Sequence, residues 1–310
     1  MRILLATDFS AFADTARSLV NSMALPEGSH IRIVHAIEPM TTVAIFASAA
    51  LFNDATEREA KDLVQTTASF LMAPGRVVDG VVGIGRAADV VVAECAGFKP
   101  DLLVVGSRGR GGIAASVLGS VSAELVDHSP CPVLVVRTNR LATVILAEDG
   151  SVSAVAGASA ITDLPAIASC KVRVVSVVDA RFPIVLADPG LPQTAIDAFR
   201  EFEDSVPQLR ASYAAFARER AEALSSAGIS ASWEQREGHA AAELLAAASE
   251  RHADCIVIGS RGQTGIRRFM LGSVARSVLF HAPCSVLIAH ATPIKERSSH
   301  HAPEPIAIRA

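Results

Sequence analysis

Short apolar runs without polar alternation recur along the chain, separated by longer amphipathic stretches. In the first half they fall at 2–6, 31–36, 77–83, 102–106 and 133–137, and in the second at 143–147, 171–178, 230–236, 255–259 and 285–289. Runs that are apolar at every position suit strands buried on both faces, as in a parallel sheet covered by helices. Helices are predicted in the intervals, at about 12–24, 54–72, 86–97 and 119–128 in the first half. The second half repeats the order, with a long second helix from about 193 to 226, interrupted or bent near Pro207. Strands alternating with helices through right-handed crossovers define an α/β protein built of two tandem, doubly wound, parallel five-stranded sheets.

The repetition is explicit in the residues. Residues 3–10, ILLATDFS, match 144–151, VILAEDGS, and GSRGRGGIAASVLGSV at 106–121 matches GSRGQTGIRRFMLGSV at 259–274, with ten of sixteen positions identical. The register shift is 141 residues at the first match (149 − 8) and 153 at the second (259 − 106), so the second copy carries about a dozen extra residues between its second and third strands. Such a long period is domain duplication, not a short-period solenoid. The first domain is expected over 1–140 and the second over 141–292, with 293–310 a polar, Pro-containing, disordered tail.

Composition narrows the classes. Half of the 310 residues are apolar and the formal net charge is −4. No run of Lys or Arg supplies the basic face of a nucleic-acid binder. No apolar stretch approaches the ~20 residues of a membrane-spanning helix. Cys95, Cys131, Cys170, Cys255 and Cys284 form no C-x-x-C pair and suit buried thiols in a reducing compartment. The amino terminus reaches Asp8 without a small-residue cleavage site and reads as a first strand. A cytoplasmic location is expected.

The chemistry concentrates in the glycine-rich segment after each fourth strand. Gly106, Gly109 and Gly119, followed by Ser120, are spaced G-x2-G-x9-G-S; Gly259, Gly262, Gly272 and Ser273 keep the same spacing. Glycines admit close approach of a phosphate and positive φ, so such a loop can form a nest of N–H donors. Gly119-Ser120 and Gly272-Ser273 also open a helix, whose free amides and dipole favour an anion; the serine can cap that helix or bind a phosphate oxygen. No Gly-Lys-[Ser/Thr] follows, so this is not a P-loop. Nor does it occupy the place of the dinucleotide fingerprint, after the first strand. Asp8 and Asp149 end the first strand of each copy, at the carboxyl edge where open α/β sheets bind ligands. There each can accept from a ribose hydroxyl or an adenine amine, or serve as a helix N-cap.

Together, the spaced glycines, the early Asp and the five-strand pattern resemble the universal stress protein family, twice over, up to about residue 290. The resemblance implies the adenine nucleotide α-hydrolase-like form of the fold and an ATP-binding, stress-response regulatory protein. It implies Ala6, Thr7 and Asp8 around adenine and ribose, with Ala36 in backbone contact with the base, and Gly106, Gly109, Gly119, Ser120 and Val121 around phosphates and ribose. The second-copy equivalents are Ala147, Glu148, Asp149, Val177, Gly259, Gly262, Gly272, Ser273 and Val274. Glu148 in place of Thr7 departs from the pattern and adds negative charge, whereas Arg267 and Arg268 replace Ala114 and Ala115. Mg²⁺ would accompany ATP only through the phosphates. The resemblance further implies an intramolecular pseudo-dimer through strands 133–137 and 285–289, compatible with a homodimer of chains.

Other features have plainer readings. Arg108 and Arg261 are phosphate contacts or solvated loop residues. His128 and His281 suit helix C-termini, Cys131 and Cys284 pack as small hydrophobes, and His300-His301 in the tail close no metal site. The apolar segments 40–52 and 182–192 are lids, docking surfaces or simple packing. Nothing supplies a positioned catalytic base or catalytic lysine, so no catalytic residue is assigned; a slow ATPase or phosphotransferase and a nucleotide-free scaffold stay open as alternatives.

Overall fold

The computed structural model describes residues 1–38, 49–109, 118–180, 192–262 and 271–290. The first half runs β1 (Arg2–Ala6), α1 (Ala11–Ser22), β2 (Ser29–Ile37), α2 (Ala49–Leu71), β3 (Arg76–Ile84), α3 (Ala87–Phe98), β4 (Leu102–Gly106), α4 (Ser120–His128) and β5 (Val133–Val136). The second runs β6 (Thr143–Ala147), α5 (Val152–Asp163), α6 (Pro165–Ala168), β7 (Lys171–Val178), α7 (Gln193–Ser226), β8 (Ala231–Glu237), α8 (Ala240–Glu250), β9 (Cys255–Gly259), α9 (Ser273–His281) and β10 (Ser285–Ala289).

All these strands join one ten-stranded sheet, in the order β3-β2-β1-β4-β5-β10-β9-β6-β7-β8. Pairing is parallel within each half. Strands β5 and β10 pair antiparallel, with Val133 opposite Ile288, Leu134 opposite Leu287 and Val135 opposite Val286. All six are fully buried, so each half covers the apolar edge that the other would expose.

Side chains alternate across the sheet and feed two cores. Ile3 and Leu5 point to the face covered by α1, α2, α5 and α7, whereas Leu4 points to the face of α3, α4, α8 and α9. Both faces being covered is why the strand sequences show no polar alternation. Within each half the chain leaves β1 or β6 towards one side and returns to the other, so the β1/β4 and β6/β9 clefts are topological switch points.

Helix α7 runs unbroken through Pro207 rather than being interrupted there. Pro207 is exposed, on the outer side of the helix, where the missing amide donor is tolerated. The one-turn helix α6, opened by Pro165, was not expected. The apolar stretch 40–52 ends inside α2; its residues 40–48, together with 182–191, lie outside the described residues. So do the expected tail, His300, His301, and the loop positions Ala114, Ala115, Arg267 and Arg268.

Candidate nucleotide site

In each half, one turn leads from the first strand into the first helix. Thr7 continues the ladder by donating its N–H to Val34 O at 3.0 Å, as Glu148 does to Val175 O at 2.9 Å. Asp8 Oδ1 accepts from Ser10 N–H at 3.1 Å, and Asp149 Oδ1 from Ser151 N–H at 3.0 Å. Ser10 and Ser151 are the N-caps, accepting from Ala13 and Ala154. The carboxylates therefore do not cap the helices; they tie down the turn before them with one oxygen.

The loop after the fourth strand meets this turn. Ser107 N–H donates to Val136 O at 3.0 Å and Gly119 N–H returns to Ser107 O at 2.8 Å, closing the loop at its base. In the second half Ser260 bonds Ala289 O at 2.7 Å and Gly272 bonds Ser260 O at 2.8 Å. None of the motif glycines described adopts positive φ. The expected role in left-handed turns is therefore corrected: these glycines serve close approach. A Cβ on Gly106 would stand 2.8 Å from the Phe12 backbone, and one on Gly259 2.5 Å from that of Ser153, so this pair lets α1 and α5 press onto the sheet. A Cβ on Gly109 would stand 2.6 Å from Asp8 Oδ2, and one on Gly262 3.1 Å from Asp149 Oδ2. Gly119 and Gly272 lie against the Cα of Arg108 and Arg261 at the loop base.

Ser120 and Ser273 open α4 and α9 as first helical residues, while Gly119 and Gly272 occupy the N-cap positions without a side-chain cap. The first-turn amides of α4 and α9 thus lack the serine cap that α1 and α5 have, the arrangement that suits an anion.

In the second half these pieces enclose a cavity of about 170 Å³. Ala147, Asp149, Val177, Gly259, Gly262, Gly272, Ser273 and Val274, the residues assigned from sequence, all line it, as does Glu148. Half-buried Arg261 lines it too. In the first half, Ala6, Thr7, Asp8, Gly106, Gly109, Gly119, Ser120 and Val121 occupy the matching positions. Ala36 packs with Val121 against one core face, as Val177 and Val274 do in the second half. Arg108 is held over the Phe12 ring, 4.8 Å from its centroid.

Sequence reasoning missed the walls supplied by helices. Ala240 and Leu244 of α8 line the cavity but read only as core positions. Helix α7 lays Tyr213, Phe216 and Arg220 over the 148–150 turn. Arg220 Nε donates to Glu148 Oε2 at 2.6 Å. Glu148 Oε1 accepts from Gly150 N–H at 2.9 Å. Burial, with Asp149 nearby, raises the Tyr213 hydroxyl above its ordinary range.

The remaining side chains follow their plainer readings. His128 and His281 Nδ1 bond the carbonyls of Glu124 and Ser277 in the last helical turn, at 2.9 and 2.8 Å. All five cysteines are free and buried, and burial pushes the thiols of Cys170 and Cys284 up to about 11. Among the described residues, no helix is long and apolar enough to cross a membrane.

Residues 1–137 and 142–290 each match the sequence model of the universal stress protein family. A universal stress protein from Thermus aquaticus is 36% identical over 137 residues, which cover 44% of this chain and 97% of the relative. One from Mycobacterium bovis is 29% identical over 209 residues, 62% of either chain. Among solved structures, a universal stress protein from Archaeoglobus fulgidus aligns with a TM-score of 0.66 at 19% identity, covering 94% of this chain and 98% of its own. A functionally unknown protein from Pseudomonas aeruginosa aligns with a TM-score of 0.55 at 16% identity, covering 93% and 92%.

Proposed function

The chain belongs to the universal stress protein family, and we propose that within it this protein is an ATP-binding regulatory module with one nucleotide site at the switch edge of each half. The observation that carries this reading is the convergence in the second half. A carboxylate, a loop of close-approach glycines and a helix amino terminus without a side-chain cap line one cavity. The first half repeats the same parts at matching positions. Two copies of one arrangement, differing elsewhere in sequence, point to a shared ligand rather than to a packing accident.

The roles follow from chemistry. The apolar walls, Val177, Ala240 and Leu244 in the second half, suit the flat face of a purine. Asp8 and Asp149 each keep one carboxylate oxygen on the loop side, where a ribose hydroxyl can donate to it. Gly109, Gly119, Gly262 and Gly272 let phosphates come close to the backbone, with the amides of Ser120, Val121, Ser273 and Val274 as donors. Mg²⁺ would enter with the phosphates and reach Asp8 and Asp149 only through them. Because β5 and β10 join the halves in one sheet, the two proposed sites stand on one continuous packed core.

The direct test is to release and identify what the purified chain carries. An adenine nucleotide in the denatured supernatant, absent from a Gly109→Asp/Gly262→Asp variant, supports the reading. A chain that carries none and takes up none on titration is a scaffold instead.

A further inference from the structure

The two halves differ at one buried position beside the proposed site. In the first, Thr7 Oγ1 accepts from Phe9 N–H at 3.0 Å and steadies the turn without charge. In the second, Glu148 does the same with Oε1 to Gly150 N–H, bringing a carboxylate whose side chain is only 1% exposed. A buried carboxylate beside a cavity meant for a polyanion opposes that ligand unless it is compensated.

The compensation comes from α7. Its buried residues Ala217, Ala221 and Leu224 correspond, at the constant shift of 153, to Val64, Ala68 and Leu71 of α2. On that register Arg220 stands where α2 has Thr67, which is itself buried. The positions of Thr7 and Thr67 in the first half therefore carry the ion pair Glu148/Arg220 in the second. Both carboxylate oxygens of Glu148 are engaged, one by Gly150 and one by Arg220.

We propose that Arg220 is a positioning residue for the second site: by neutralising and holding Glu148 it lets that cavity accept a phosphate-bearing ligand, a task the first half does not require. This rests on the nucleotide reading above. Its signature is dependence on ligand charge. Removing Arg220 leaves Glu148 repelling ATP most, AMP less and adenosine least, whereas a merely structural residue would affect all three alike.

The experiment titrates ATP, AMP and adenosine into the full chain carrying Gly109→Asp, so that the second site is read alone. Adding Arg220→Met should weaken ATP by about tenfold or more while changing adenosine by less than about twofold, as expected for an uncompensated buried charge. Arg220→Lys, and the double exchange Glu148→Thr/Arg220→Thr that installs the first half's own residues, should restore ATP binding. If Arg220→Met does not fold, Glu148→Gln decides. It keeps a side-chain amide oxygen for Gly150 while removing the negative charge, so it should favour ATP over adenosine relative to the parent. Equal weakening of all three ligands, or no preference shift in Glu148→Gln, overturns the proposal and leaves the nucleotide reading standing. A parent chain that binds none of the three at the second site overturns both.

Discussion

Asp8 and Gly109 lie so close that a methyl group on the glycine would stand 2.6 Å from the aspartate Oδ2, while the matching distance between Gly262 and Asp149 is 3.1 Å. The loop and the carboxylate are therefore in contact in both halves, and more tightly in the first. Gly109→Ala should displace Asp8 and weaken ATP at the first site by about tenfold, roughly 1.4 kcal/mol. Gly262→Ala should cost the second site less. Site-resolved titration checks the order, and a larger effect at Gly262 would contradict it.

Gly150 adopts a φ of +78°, and a Cβ there would stand 2.6 Å from the Phe216 ring. In the first half Phe9 takes this backbone position at φ 58°, its ring tilted against that of His35 with the centroids 4.6 Å apart. Gly150→Ala meets both an unfavourable backbone and a rigid ring, so it should destabilise the chain by about 1–3 kcal/mol. Phe216→Ala opens the space but leaves a cavity. The paired variant should therefore lose less than the sum of the two single changes when thermal unfolding is followed.

Burial, reinforced by the nearby positive charge of Arg261, pushes the His290 imidazole down to about 4. Unfolding returns it to about 6.5, so between these values the unfolded chain binds more protons and stability rises with pH. The contribution is present above about 6.5 and is lost as pH falls towards 4, up to ~3 kcal/mol in all. His290→Asn should flatten the stability profile across that window in denaturant titrations run at several pH values.

Arg137 follows β5 directly and reaches into the other half, its Nη2 donating to Leu279 O at 2.6 Å and its backbone N–H to Ser285 Oγ at 3.1 Å. Arg137→Met leaves a buried carbonyl of α9 without its donor. We expect a loss of about 1–3 kcal/mol in equilibrium unfolding. Separate transitions for the two halves would show that this strut also couples them.

Much of this architecture was legible because its signals are local. Runs such as Ile3-Leu4-Leu5 face two cores at once, so they show no alternation and stand out as strands. The repeated Gly-Ser-Arg-Gly string marks the same loop twice. The edge pairing of β5 with β10 was implied by the family resemblance, and the need to cover two short apolar strands gives it a physical reason. What the sequence hid depends on contacts between distant segments. Glu148 reads as a lone departure until Arg220 is seen beside it, because their pairing spans the insertion in the second half. The motif glycines suggest left-handed turns, and only the packed backbone of α1 and α5 shows that Gly106 and Gly259 are there to let a helix approach. Ala240 and Leu244 carry no mark that separates a cavity wall from ordinary core.

The central claim, a working nucleotide site in each half, is tested most directly by calorimetric titration of the full chain with ATP and Mg²⁺. The account predicts that the wild type binds one ATP in each half, that Gly109→Asp and Gly262→Asp each abolish one of the two, and that the double variant binds none. A wild type that binds no ATP, or a stoichiometry unchanged by either substitution, would contradict it.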